Sequence, residues 1–125
     1  MAKNYGKISE LPLDIEGNFI DNSEKRLVFG PNGRFWDDYA MRCFSLDPGA
    51  KSALHKHAWP HMVVCLSGKG VFNIEGEKAF LEKGSWAYVP GDAMHNFWNE
   101  SDDEPWEFLC IVPPEGDVNP MLGGC

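Results

Sequence analysis

The chain has no Cys-x-x-Cys pair, no run of basic residues and no long hydrophobic stretch, and each absence closes off a class of protein. Cys43, Cys65, Cys110 and Cys125 are widely separated, which disfavours a structural zinc knuckle or a thioredoxin-like redox pair. They read as buried or terminal thiols, with Cys125 expected to be the most exposed. Lys and Arg number 11 against 19 Asp and Glu, a formal charge of -8, and none of the cations cluster. A nucleic-acid partner is therefore not expected, because backbone phosphates are bound by concentrated Lys and Arg. No segment approaches the roughly 18 to 20 apolar residues of a spanning helix. The opening Met1 to Lys7 is followed by no apolar signal core, so no membrane association and a cytoplasmic location are expected.

What is present is turn chemistry and short apolar runs. Thirteen glycines and nine prolines punctuate a chain that is 43% hydrophobic and 13% aromatic, ordinary to rich for a globular fold. Residues 1–23 show no sustained period and read as an N-terminal arm. Strand-like runs begin at Arg26–Phe29 and continue through Tyr39–Leu46, a third run carrying His55 and His57, then His61–Leu66, Val71–Ile74, Ala79–Leu81, Trp86–Val89, His95–Trp98 and Trp106–Val112. Turns such as Ser67-Gly68-Lys69-Gly70 separate them. With no convincing amphipathic helix, the spacing predicts one all-β domain over residues 24–114, a sandwich or barrel, and a tail over 115–125.

All four histidines fall into one pattern, His55-x-His57-x-x-x-His61 with His95 further on. On a strand, residues i and i+2 share a face, so His55 and His57 would aim two imidazoles at one point, and His61 and His95 would arrive from neighbouring strands. Neutral imidazoles bind zinc, copper, iron and nickel without cancelling the ion's charge, so the pattern points to one divalent metal ion.

The surrounding punctuation resembles the cupin superfamily. Its first motif (glycine, five residues, His-x-His, three or four residues, Glu, six residues, glycine) runs from Gly49 through His55 and His57 to Gly68, with His61 in place of the glutamate. Its second (glycine, five residues, Pro-x-Gly, two residues, His, three residues, Asn) is matched by Gly84, Pro90, His95 and Asn99. Asp92 stands where the middle glycine belongs, and Gly91 beside it suggests a turn shifted by one residue. The resemblance covers about residues 40 to 112 and is nearest to the small single-domain cupins with four histidines. It implies a double-stranded β-helix, or jelly-roll barrel, with the metal inside. It further implies manganese or iron in preference to nickel, copper or zinc, and a homodimer in which the arm can exchange a strand.

Four neutral imidazoles around an octahedral ion leave two adjacent positions for water, dioxygen or a bidentate substrate. They also leave no ligand carboxylate to serve as a base. No catalytic residue can be named, and Arg42 and Cys110 are the candidates for groups supporting the ligands from behind. Strand parity puts Val63 and Cys65 on the face of His61, and Phe108 and Cys110 on one face of the last strand, as candidate lining of a largely apolar pocket. Trp59 walls the pocket mouth or packs on a partner subunit, and Trp86, Tyr88 and Trp98 are expected in the core or an interface. Arg42 holds a substrate carboxylate or oxyanion, or pairs with Asp or Glu at a dimer seam. The expected function is a metal-dependent oxygenase of dioxygenase type acting on a small, partly apolar substrate. The alternatives are a non-redox isomerase, decarboxylase or lyase, and a non-catalytic small-molecule-binding domain.

Overall fold

The structure is a computed structural model, and it describes residues 4–118. After a short 3-10 turn at Ile8–Glu10, eight strands follow: β1 Ser23–Phe29, β2 Ala40–Leu46, β3 His61–Ser67, β4 Gly70–Ile74, β5 Glu77–Leu81, β6 Trp86–Val89, β7 His95–Asn99 and β8 Trp106–Val112. A single-turn helix, α1, spans Pro114–Val118. The strands form a five-stranded sheet ordered β1-β2-β8-β3-β6 and a three-stranded sheet ordered β5-β4-β7, every pairing antiparallel. This is a jelly-roll β-sandwich, as the turn spacing and motifs led us to expect.

Alternation decides which residues face the core. In β8, Trp106, Phe108, Cys110 and Val112 are buried while Glu107, Leu109 and Ile111 are half-buried on the other face. In β3 the inward set is His61, Val63 and Cys65, and in β7 it is His95, Phe97 and Asn99. Phe72, Phe97, Trp106 and Phe108 meet between the sheets with ring centroids 4.5 to 6.3 Å apart, a dry aromatic core. Each such ring contributes about 1.5 to 3 kcal/mol by leaving water. Asn99 fastens the far end, donating to Leu46 O at 3.0 Å and Glu104 O at 2.8 Å and accepting from Ser101 N at 2.8 Å. The same inward rows that build this core therefore end, at the opposite pole, in His61 and His95.

Three expectations need correction. His55 and His57 do not lie on a regular strand. Between Ala50 and His57 the chain runs beside β7 and bonds to it only intermittently, through Ser52 N to Phe97 O, reciprocal His55–His95 bonds and Asn99 N to Ala50 O. The second-motif turn is not shifted: Asp92 itself takes the left-handed conformation, φ 65°, that the family glycine would supply. Gly91 is needed for another reason, since a Cβ there would collide with the carbonyl of Ala58. Finally, Trp86 and Tyr88 are not in the core of this chain, being 75% and 50% exposed on the outer face of the large sheet, where an interface could cover them.

The arm folds back over its own barrel. Arg26 Nε donates to Leu11 O at 3.0 Å, and Asp14 N to Lys25 O at 2.8 Å. Lys25 is fully buried and paired with Asp14 at 3.2 Å and with Asp117 of α1 at 2.9 Å, so arm and tail are tied to one cation. Cys125 lies outside the described residues.

Candidate metal centre

One ring nitrogen from each of His55, His57 and His95 lies within 4.8 Å of the others, a three-histidine cluster that could hold a metal ion. His61 joins its edge: its Nε2 is 2.9 Å from His57 Nε2 and 3.0 Å from His95 Nε2. His57, His61 and His95 are buried and His55 half-buried, so the cluster reaches solvent on the His55 side.

Backbone carbonyls fix the rings. His55 Nδ1 meets Ala53 O at 2.7 Å, His57 Nδ1 meets Trp59 O at 2.8 Å and His95 Nδ1 meets Ala93 O at 2.8 Å. A carbonyl only accepts, so these three Nδ1 atoms carry the proton and the Nε2 atoms present lone pairs. Two such lone pairs converge on His61 Nε2, an arrangement that either a proton on that nitrogen or a metal ion between the rings would satisfy.

Burial keeps the site ready. His57 has its pKa lowered to about 4, first by desolvation and then by neighbouring His61, which outweigh the bond to Trp59 O. It is neutral at physiological pH, as a ligand must be. Trp59 stacks on its ring.

The supporting residues divide. Val63, Cys65, Phe108 and Cys110 all face inward and are fully buried. Phe108 stacks on Phe44 inside the aromatic core, and Cys65 sits opposite it in the β3–β8 register, so this pair underlies the site as core. Cys110 lies nearer, its Sγ 3.3 Å from His61 Nδ1. Arg42 is paired within its own chain: Nη1 meets Asp117 Oδ1 at 3.2 Å, while Nε and Nη2 meet Cys110 O and Sγ, each at 3.2 Å. Asp117, 75 residues away, was invisible to strand parity because it lies in the tail.

Residues 42–112, more than half of the chain, match the family model described as the cupin domain, and the chain belongs to that family. It is 29% identical over 93 residues to a 1-methylthio-D-xylulose 5-phosphate methylsulfurylase of Rhodospirillum rubrum, covering 74% of this chain and 57% of that one. It is also 41% identical over 64 residues to an uncharacterized protein of Aquifex aeolicus, about half of each chain. The chain thus spans little more than half the length of these curated relatives. Among solved structures, the polyketide cyclase RemF of Streptomyces resistomycificus superposes with a TM-score of 0.76 at 17% identity, over 90% of this chain and 80% of that one. A cupin-2 domain from Rhodospirillum rubrum gives 0.70 at 23%, over 90% and 75%. A predicted oxalate decarboxylase from Thermotoga maritima gives 0.72 at 18%, over 88% and 98%. No described helix is long and apolar enough to cross a membrane.

Proposed function

We propose that the chain is a metal-dependent cupin enzyme, an oxygenase of dioxygenase type, with one divalent ion held by His55, His57, His61 and His95. The observation that carries this reading is the donor set: the clustered imidazoles of His55, His57 and His95, with His61 Nε2 within 3.0 Å of two of them. Manganese or iron bound there would supply one-electron chemistry between an organic substrate and dioxygen. The chain's own groups supply little acid–base function. Arg42 and Cys110 are fully buried and engaged with Asp117 and His61. What the protein contributes is neutral donors, exclusion of water on the core side and an opening beside His55. A small, partly apolar molecule suits a site backed by the buried Val63, Phe108 and Cys110, and a cytoplasmic homodimer completes the proposal.

A non-redox lyase or isomerase reading draws on the similarity to proteins named as a methylsulfurylase and a decarboxylase. Metal analysis of the purified protein, then oxygen uptake by manganese- or iron-loaded protein with a panel of small organic acids, ketones and phenols, separates the two. Uptake abolished by His95→Ala supports the oxygenase. Anaerobic turnover at an undiminished rate would favour the alternative.

A further inference from the structure

Three of the four rings are fixed by main-chain oxygens two residues away in sequence, but His61 is held differently. Its Nδ1 faces a side chain, Cys110 Sγ, at 3.3 Å and from 49 residues away. His61 stands where the family motif has glutamate, and the exchange creates a need: a carboxylate has no N–H on its far side, whereas a ring ligated through Nε2 carries one at Nδ1. That N–H points into a buried wall, where an unanswered donor is costly.

From this geometry we infer that Cys110 is a positioning residue for the His61 ligand, and that Arg42 and Asp117 hold Cys110 to the task. The register places Cys110 opposite Arg42 on one side and Val63 on the other, so the sulfur sits in the middle of the β2–β8–β3 row, one inward position below His61. Arg42 Nη2 approaches the same sulfur at 3.2 Å, and Arg42 Nε grips the Cys110 carbonyl. Asp117 fixes the guanidinium from α1, and Lys25 fixes Asp117. A chain of contacts thus runs from the C-terminal helix through the large sheet to one ring of the cluster. Sulfur is a weak acceptor, and the two donors directed at it orient it more firmly than either would alone.

This inference rests on the metal-centre reading, not on oxygenase chemistry, and its test uses Mn2+ and Co2+ alone. Cys110→Val fills the space but offers no acceptor, and Cys110→Ser keeps one. Groups behind a ligand commonly change metal affinity by about 10- to 100-fold. Cys110→Val is expected to lose affinity by about that factor and to shift the visible absorption of the Co2+ form, while Cys110→Ser stays within about threefold of wild type. Should Cys110→Val not fold, nitrogen-15 spectra of the Zn2+-loaded Cys110→Ser protein give the answer: the His61 Nδ1–H resonance moves and those of His55, His57 and His95 do not. Unchanged affinity and spectrum in Cys110→Val, or an unmoved His61 resonance in Cys110→Ser, would overturn the inference and leave the metal centre standing. Wild type that binds neither ion, indistinguishable from His95→Ala, would overturn both.

Discussion

Trp59 lies face to face on His57, ring centroids 4.7 Å apart and planes 9° from parallel. On its other side is Gly116 of α1, where an added Cβ would stand 2.9 Å from indole Cε2. The helix therefore backs the tryptophan and the tryptophan backs the ligand. Trp59→Ala should destabilise the fold by about 1 to 3 kcal/mol, since the ring is only partly buried, and loosen His57. Gly116→Ala should reproduce the loosening by pushing on the indole from behind. Urea unfolding paired with Mn2+ titration checks both, and equal metal affinity in all three proteins would contradict the arrangement.

His61→Glu restores the family's usual residue. Metal binding should persist with altered selectivity among manganese, iron and zinc, whereas His95→Ala should lose about 10-fold or more in affinity. In wild type, saturating Mn2+ should raise Tm and a chelator should return it to the metal-free value, because an ion that binds only the folded chain stabilises it by mass action. Calorimetric scans with and without EDTA make the comparison.

Stability of the metal-free protein should depend on His57. Its folded pKa of about 4 lies below the ordinary 6.5, so between these values the unfolded chain binds more protons and stability rises with pH. The contribution is complete above about pH 6.5 and lost as pH falls through 4, amounting to at most about 3 kcal/mol at about 1.36 kcal/mol per unit. His57→Gln should flatten that limb of the stability curve, measured by urea unfolding from pH 3.5 to 7.5.

Lys25 is a buried cation facing Asp14 and Asp117. Lys25→Met removes the charge, leaving Asp117 with Arg42 and taking from Asp14 its ion pair with Lys25. A loss of about 3 to 5 kcal/mol is expected, larger than for any surface lysine. Lys69→Met serves as the comparison in chemical denaturation.

Cys43 has its thiol pushed up to about 11, chiefly by burial and next by Glu107. Little thiolate exists near neutrality, so alkylation at pH 7.5 should be slow in the folded protein and rapid in urea. Mass spectrometry of iodoacetamide-treated protein, read at the Cys43 peptide, decides this.

Strand spacing and the two motifs made the jelly roll legible, because a period of two and the glycine turns are local properties of the chain. The convergence of the histidines is legible too, but strand parity is not its cause at His55 and His57, whose segment is too irregular for parity to govern it. What aims them is intermittent bonding to β7 and the carbonyls of Ala53 and Trp59. Asp92 shows the reverse case, where a residue that looked like a departure adopts the backbone conformation the motif requires.

The order of residues alone determined the fold class, the inward rows of β3, β7 and β8, and that His61 and His95 stand at the end of two of those rows. Alternation and turn residues act over a few positions and can be read in order. Only the tertiary structure decided what stands behind the histidines. Whether Arg42 meets a substrate, a partner subunit or Asp117, and whether Cys110 lines a pocket or touches His61, depends on register between strands and on a helix 75 residues away. Those contacts depend on the assembled sandwich, and no local pattern encodes them.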